Sequence, residues 1–392
     1  MSDYKVVRTF HPVGQGGFYS ERHNNFNIVY DCGAIPVSDA KPVVQAAFSK
    51  TEDIDVLFIS HFDYDHVSAI STLQKNVRNI KQVVLPLLDE GHKNLLININ
   101  RALSQNIIKL ISNPQLFFGK NTDIIYVRPA DNERKFSEEN TENERFYDLR
   151  ETPFYKDKES GRIEVDSGSV LSFGGIFRWV FVPYNYLNKV RSSQLINELS
   201  KAKFNVRLLT SDSFFSLKNI TTPSKRRALK QVYSRIDGNV NENSMLVYSG
   251  PEKVNEDCCL CDECYDDCSF HRYFFHKAGC IYTGDCDLNK VNLGAIYSNF
   301  ILNIGIVQIP HHGSKHNFFF NSLRQFWPDV TCPVSFGTKN KHGHPSAQVI
   351  NELSQHGFRP LLINEKSDSE FVQNIQIWSK EAKRIQRKVG SF

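Results

Sequence analysis

The chain has 392 residues and a mass of 45.0 kDa, and its 40% hydrophobic and 23% charged residues exclude a disordered, collagen-like or coiled-coil protein. A net charge of +4 is too small to indicate a nucleic-acid partner by itself. The sequence has no apolar run of about 18 residues and no secretory signal in its N-terminal MSDYKVVRTF, so we expect a cytoplasmic protein without a membrane segment.

The first third of the chain predicts strands that alternate with helices. Runs of β-branched and aromatic residues predict the strands Val6–Phe10, Phe26–Tyr30, Val56–Ser60 and Val83–Leu87. Apolar periodicity predicts two helices, Lys41–Lys50 and His92–Ser112. Pro42 is expected in the first turn of the first helix, where its missing N–H group is tolerated.

The middle of the chain carries weaker patterns. Residues 120–240 predict a partly helical insertion, because a polar and charged stretch is followed by the helical segments Asn188–Lys203 and Ser224–Arg235. Strand patterns appear at Gly168–Pro183, where Gly174 and Gly175 suit a hairpin turn, and again at Met245–Tyr248. The basic segment Lys380–Lys388 predicts a helix or a frayed tail.

Four potential metal ligands follow the predicted strand that ends at Ser60. His61, Asp63, Asp65 and His66 lie within six residues, and a loop that leaves a strand can direct such side chains into one pocket. Imidazole suits zinc, manganese or iron, and carboxylates can bridge two ions. A polar surface loop is the alternative interpretation of this segment.

Further polar groups follow later predicted strands. Tyr282–Asp285 ends in a carboxylate, Gln308–His316 contains three histidines, and Lys341–Ser346 contains two. Each group alone is weak, because a single histidine is more often structural. Their order and their placement at strand ends together favour a metal centre.

These motifs resemble those of the metallo-β-lactamase superfamily, His-x-His-x-Asp-His followed by a bridging Asp and a final His. Asp63 stands where the family usually has His, and this variant is similar to the metallo-β-lactamase domain of DNA-uptake competence channels, the ComEC group. The similarity extends over further segments of that group in the same order, namely His11–Gly17, Tyr30–Gly33, Asn243–Val247, Thr283–Asp285, His311–Ser314 and Gly343–Pro345.

The resemblance implies one α/β domain over residues 1–392, an αββα sandwich with two divalent metal ions, zinc or manganese, at one edge of its sheets. His61 and Asp63 are then expected to hold the first metal, Asp65 and His66 the second, and Asp285 both. His312 is the expected last ligand, with His311 as the alternative. No independent histidine ligand of the first metal is identifiable, since His92, the one candidate, opens a predicted helix. Asp31 is expected to orient the His61–His66 loop.

The implied chemistry is hydrolysis by a water that two metals activate, with Asp65 also acting on the proton. Ser314, Lys315 and His344 are candidates for phosphate contact or leaving-group protonation, and an ordinary surface lysine is the alternative for Lys315. For His316 and His342 a surface role is favoured. The expected substrate is a nucleic acid or nucleotide. Lys225–Arg235 and Lys380–Lys388 are candidate phosphate contacts, and solvated helix faces are the favoured alternative for both basic runs.

Two other functions remain open from the sequence. The superfamily also hydrolyses non-phosphate esters, lactones and amides, so the fold does not decide the substrate. Alternatively, the protein is an assembly subunit that binds a protein partner through its insertion and a cysteine-rich hairpin, residues 250–280. The set of candidate ligands argues against a scaffold that has lost its metals.

The cysteine-rich hairpin has the spacing C-x2-C-x2-C-x3-C at Cys258, Cys261, Cys264 and Cys268. Four thiolates can close a tetrahedral zinc site, which predicts a structural zinc. The spacing is also similar to that of bacterial ferredoxins, so an iron–sulfur cluster and free thiols remain alternatives. Cys259 and His271 can replace the first and last ligands.

Overall fold

The computed structural model describes residues 4–130, 146–149, 162–173, 179–187, 189–235, 243–252, 258–260, 277–326 and 328–379. The strands in chain order are β1 (Tyr4–Phe10), β2 (Phe18–His23), β3 (Phe26–Cys32), β4 (Asp53–Phe58), β5 (Asn79–Pro86), β6 (Asp123–Val127), β7 (Phe146–Asp148), β8 (Ile163–Val165), β9 (Val170–Ser172), β10 (Trp179–Leu187), β11 (Asn243–Pro251), β12 (Cys258–Leu260), β13 (Gly279–Tyr282), β14 (Ile304–Val307), β15 (Thr331–Ser335), β16 (Arg359–Ile363) and β17 (Phe371–Ser379). The α-helices are α1 (Val37–Ala47), α2 (Tyr64–Val67), α3 (Ile70–Asn76), α4 (Glu90–Ala102), α5 (Ile108–Ser112), α6 (Pro114–Phe118), α7 (Lys189–Lys201), α8 (Val206–Ser211), α9 (Phe215–Asn219), α10 (Pro223–Arg235), α11 (Leu293–Ile296) and α12 (Ala347–Gln355).

The strands form two sheets. The first has the order β12-β17-β1-β2-β3-β4-β5-β6-β8, and the second has the order β16-β15-β14-β13-β11-β10-β9-β7. The strands from β3 through β4, β5 and β6 to β8 are parallel, as are those from β13 to β16. Their carboxyl ends therefore lie along one edge of each sheet, where loops can meet.

The layers follow from the alternation of side chains along each strand. Phe58 of β4 packs with Trp179 and Tyr282 of the second sheet in the core between the sheets. Leu57, the neighbour of Phe58, packs on the other face with α1 and α3. On the outer face of the second sheet, α11 and α12 pack in the same way. The αββα sandwich predicted from the sequence is thus confirmed.

Two predicted helices differ in their bounds. The first begins at Val37, so Pro42 lies inside it rather than in its first turn; Ala40 and Val44 are buried, and this packing compensates for the lost hydrogen bond. The second is broken into α4 and α5, because the chain leaves the helix between Leu103 and Ile107.

Part of residues 120–240, the range predicted as a partly helical insertion, belongs to the two sheets. Strands β6 and β8 belong to the first sheet, and β7, β9 and β10 belong to the second. Strands β7 and β8 have only three residues each, too few to show a period in the sequence. Strands β9 and β10 begin within the predicted strand segment Gly168–Pro183. The segments outside the sheets include α7 to α10, which pack on α4. Gly174, Gly175 and Lys380–Lys388 lie outside the described residues.

The segment between β11 and β13 carries the cysteines. These two strands are antiparallel neighbours, with Val247 opposite Tyr282. The described strand between them, β12, instead pairs with β17 of the other sheet, with Cys258 opposite Ser379. The chain between β11 and β13 therefore contributes a strand to the other sheet and is not only an extended hairpin turn between these two strands. Cys261, Cys264 and Cys268 lie outside the described residues, and the zinc site stays a prediction.

Within the described residues, no helix combines the length and apolar character that a membrane span requires.

Candidate metal centre

The candidate ligands come from loops at one edge of the sandwich. The loop after β4 carries His61 and Asp63 and leads into α2, which carries Asp65 and His66. The loop after β13 carries Asp285. The loop after β14 carries His311 and His312. Because β4, β13 and β14 are parts of parallel arrays, their carboxyl ends bring these loops together.

Asp285 lies at the middle of the cluster. Its Oδ1 is 3.2 Å from Nε2 of His66, and its Oδ2 is 3.7 Å from Nε2 of His61 and 3.9 Å from Nε2 of His311. The two carboxylate oxygens thus face different histidines, which is the arrangement a bridging ligand requires.

Two other carboxylates flank the histidines. Asp65 Oδ2 lies 3.2 Å from Nε2 of His312, and Asp63 Oδ2 lies 3.9 Å from Nε2 of His61. The side chains of Asp63 and Asp65 are 14% and 16% exposed, whereas those of His61 and His66 are at most 1% exposed. A substrate would therefore reach the centre from the side of the two carboxylates.

Each of the four histidines is held through its Nδ1 atom. His61 Nδ1–H can donate to Ser60 Oγ at 2.7 Å, and His66 Nδ1–H to Asp31 Oδ2 at 2.8 Å. His311 Nδ1–H can donate to Asn317 Oδ1 and His312 Nδ1–H to the carbonyl of Ser335, both at 2.9 Å. A proton on Nδ1 leaves the lone pair on Nε2, so all four rings present a metal-binding atom to the centre.

The backbone conformation orients the adjacent residues His311 and His312. His311 and His312 have φ values of 48° and 56°, a left-handed conformation that costs about 1–2 kcal/mol per non-glycine residue. This conformation directs His311 toward Asp285 and His312 toward Asp65. Asn317 also donates to the carbonyl of Asp285 at 3.3 Å, so one side chain connects both loops.

The acids and histidines of the centre shift one another's pKa values. Burial opposes a proton on His66, yet Asp285 and Asp31 raise the pKa of His66 well above its ordinary value. Burial also opposes ionisation of Asp285, but His66 and His311 hold its pKa well below the usual range. Burial and repulsion from His66 lower the pKa of His61 to about 3, so its imidazole stays neutral.

The donor set fits divalent cations. The ligand atoms of His61, His66 and Asp285 lie within 4.8 Å of one another, as do those of Asp65, His66 and His312. Among the described residues, the buried Nε2 atoms of His61 and His66 make no hydrogen bond, an arrangement that costs free energy unless a ligand occupies it. Mixed imidazole and carboxylate donors suit zinc or manganese.

Asp31 lies behind the ligands, in the place where an orienting residue is expected. It is fully buried and accepts hydrogen bonds from the backbone N–H and the hydroxyl of Ser60, at 2.8 and 2.7 Å, besides that of His66. Gly16 and Gly33 let the chain pass against the loop, because a Cβ on either would lie 2.6–2.7 Å from the carbonyl oxygen of Asp65.

The other candidates are placed more loosely. His344 has its ring centroid 5.6 Å from that of His311, and burial together with repulsion from His311 lowers its pKa to about 4. Lys315 is exposed, and within the described residues no carboxylate lies at ion-pair distance from it. The hydroxyl of Ser314 accepts the N–H of His316 in a turn. His92 is buried on α4, outside the two described ligand groups.

Sequence reasoning missed Ser60, Asn317 and Gln308. Gln308 Oε1 accepts the backbone N–H of Thr283 at 3.0 Å and thereby holds the strand that leads to Asp285. Polar residues of this kind have no distinctive spacing, and their adjacency to ligand loops is the one signal that points to them.

Searches of protein-family models and of curated proteins find no match. Solved structures are similar at low identity. The metallo-β-lactamase fold protein YhfI from Bacillus subtilis is 10% identical, with 94% of this chain and 99% of that chain covered and a TM-score of 0.35. Human tRNase Z, short form, is 10% identical, with 91% and 92% covered and a TM-score of 0.35. A long form RNase Z from yeast is 8% identical, with 84% and 37% covered and a TM-score of 0.35.

Proposed function

We propose that the protein is a metal-dependent hydrolase that cleaves phosphodiester bonds, as a nuclease or nucleotide phosphodiesterase. The observation that carries this proposal is the set of four histidines with Nδ1 held by an acceptor and Nε2 turned toward Asp285 or Asp65. Imidazoles arranged in this way, three of them buried, can serve a cation, which disfavours a scaffold without metals.

Two ion positions account for the ligands. His61, Asp63, Asp285 and His311 would hold one ion, and Asp65, His66, Asp285 and His312 the other. His311 thus supplies the ligand that the sequence did not reveal. Bound at these positions, divalent cations would acidify a water molecule and neutralise charge on a phosphoryl oxygen.

The chain's own residues contribute orientation and proton transfer. Asp65 is partly exposed beside His312, where it can accept a proton from an incoming nucleophile. His344, neutral at pH 7, can donate a hydrogen bond to a substrate oxygen on the His311 side. The three carboxylates favour harder ions such as Mn²⁺, and the sequence similarity to DNA-uptake domains supports a phosphodiester substrate.

Hydrolysis assays on several substrate classes test this function. Wild type should cleave bis-p-nitrophenyl phosphate and single-stranded DNA or RNA when Mn²⁺ or Zn²⁺ is present. Asp65→Asn and Asp285→Asn should lower turnover by about a hundredfold or more, because each removes a ligand charge. Asp368→Asn, at an exposed carboxylate, is the matched control and should retain activity. Metal-dependent cleavage of p-nitrophenyl acetate or a lactone, without any phosphodiester cleavage, would show a different substrate class.

A further inference from the structure

The positive charge of the chain is concentrated in one helical region. Residues 189–235, which contain α7 to α10 and are called the helical unit here, hold eleven lysines and arginines but only two acids, a net charge of +9. The whole chain has +4, so the remainder carries −5. The small overall charge therefore hides a strongly basic region.

The cations of the helical unit face solvent. The exposed basic residues with described side chains are Lys201, Lys203, Arg207, Lys218, Lys225, Arg226, Arg227 and Lys230. Within the described part of the chain, Lys201 pairs with Glu198 at 2.6 Å, and no carboxylate is within ion-pair distance of Arg227 or Lys230. Like charges four residues apart, as at Arg226 and Lys230, destabilise a helix by about 0.2–0.5 kcal/mol. Folding alone gives no reason for this pattern.

The helical unit is anchored at the edge that carries the metal centre. It packs on α4, which begins directly after the carboxyl end of β5, the strand next to β4. Its own chain enters from the end of β10 and returns to the start of β11, at the edge where β13 leads to Asp285. Both connections thus attach the helical unit at the edge of the sandwich that carries the candidate metal centre.

The docking of the helical unit is tight. Leu95 and Ile99 of α4 pack with Leu195 and Leu209 in a buried cluster. Asn98 donates to the carbonyl of Leu209 at 2.9 Å and accepts the N–H of Ser216 at 2.8 Å. A surface fixed in this way can hold a ligand in a defined position relative to the centre.

The helical unit also exposes an aromatic ring. Phe214 is 60% exposed, and Leu217 beside it is 54% exposed. The guanidinium of Arg101 lies 5.5 Å from the centroid of the Phe214 ring. Proteins that bind single-stranded nucleic acids combine basic side chains, which contact the backbone, with aromatic rings on which bases stack.

We propose that the helical unit binds the phosphate backbone of a single-stranded polynucleotide whose scissile bond lies at the metal centre, with Phe214 as a stacking platform for a base. The inference rests on the proposed function and makes the substrate a polymer rather than a mononucleotide. Backbone contacts carry no base information, so DNA and RNA strands should both bind.

Binding by a charge-reversed variant tests the proposal. Arg227→Glu/Lys230→Glu removes two exposed cations, and Lys50→Glu/Lys75→Glu changes the same number of charges at the amino-terminal ends of β4 and β5, away from the centre. The dissociation constants of labelled DNA and RNA strands of about 20 nucleotides are measured by fluorescence anisotropy in EDTA at several salt concentrations.

We expect the test variant to bind at least one strand about tenfold or more weakly than wild type, with a slope of log K against log salt smaller by about 1.4. The control should bind like wild type. Phe214→Ala should weaken binding without changing the salt slope. Equal affinities and slopes for both charge variants would overturn the proposal.

Measurements of turnover on two substrates distinguish a failure of this inference from a failure of the proposed function. The test variant should lose more kcat/KM on a polynucleotide than on bis-p-nitrophenyl phosphate, by about the factor lost in binding. Wild type that binds strands but cleaves no phosphodiester would refute the proposed activity and leave the binding result to stand by itself. If wild type cleaves both substrates and the variant loses no kcat/KM on the polynucleotide, the proposed binding by the helical unit is refuted and the proposed activity is not.

Discussion

The tandem histidines His311 and His312 divide between two carboxylates, although they are neighbours in the chain. His311 faces Asp285 and His312 faces Asp65, because both residues adopt a left-handed backbone and different acceptors hold their Nδ1 atoms. We infer that each serves a different ion.

Alanine substitutions of these histidines test the division. His311→Ala and His312→Ala should each lower the metal content of the centre from about two equivalents toward one, because each removes a ligand of one ion. Metal analysis after gel filtration gives the content. His316→Ala, at an exposed neighbour, should keep both ions. A His311→Ala protein that retains both would contradict the assignment of His311 to an ion.

The sequence predicted where the candidate ligands lie but could not assign each of them. Apolar strands precede His61, Asp285 and His311, and strand ends of parallel arrays converge, so their proximity follows from the pattern. The choice between His311 and His312 depends on two positive φ values and on Asn317, which the local pattern does not encode.

At the scale of elements, α2 packs closely against two glycines, Gly16 and Gly33. A Cβ on Gly33 would lie 2.6 Å from the Val67 nitrogen and 2.7 Å from the Asp65 oxygen, both backbone atoms that cannot yield without moving α2. The conformation of the ligand loop therefore depends on this close approach.

Gly33→Ala should destabilise the protein by about 1–3 kcal/mol, the usual cost of inserting a methyl group where there is no space. It should also weaken metal binding, because α2 carries Asp65 and His66. Thermal unfolding and metal titration measure the two effects. Gly91→Ala on α4, where the nearest atom is a side-chain oxygen of Asp89 at 3.2 Å, should be neutral or stabilising. Equal stability of both variants would show that there is room for a methyl group between Gly33 and the backbone of α2.

Strands with continuous apolar runs could be predicted from the sequence, whereas two of the strands with only three residues could not. Strands β1, β3, β4 and β5 were predicted because their apolar runs are continuous. Strands β7 and β8, with three residues each, lie in a stretch interpreted as an insertion, because their position depends on pairing with β9 and β6.

At the scale of the whole molecule, a buried ion pair joins the two sheets. Arg8 donates to Glu21 at 2.8 Å within the first sheet and to the carbonyls of Ala278 and Ser249 on the second. Glu21 also accepts the hydroxyl of Tyr282 at 2.9 Å. Burial opposes ionisation of Glu21, but Arg8 and His23 hold its pKa well below the ordinary value.

Glu21→Gln should cost about 3–5 kcal/mol at pH 7, because it leaves Arg8 as a buried charge without its counter-ion. A carboxylate with a lowered pKa stabilises the folded state above its unfolded pKa, and this contribution disappears as pH falls. The difference from wild type should therefore shrink below about pH 4.3. Denaturant unfolding at several pH values measures it, with Asp368→Asn as an exposed control. A difference that does not change with pH would contradict the linkage.

The proposed phosphodiesterase activity depends on two cations held by this centre. Its most direct test is the rate of bis-p-nitrophenyl phosphate hydrolysis by metal-stripped protein as Mn²⁺ or Zn²⁺ is added back. We expect no activity without metal and a rate that rises to a plateau near about two equivalents bound at the centre. Phosphodiester hydrolysis that is independent of added metal, or no hydrolysis with both ions bound, would contradict the account.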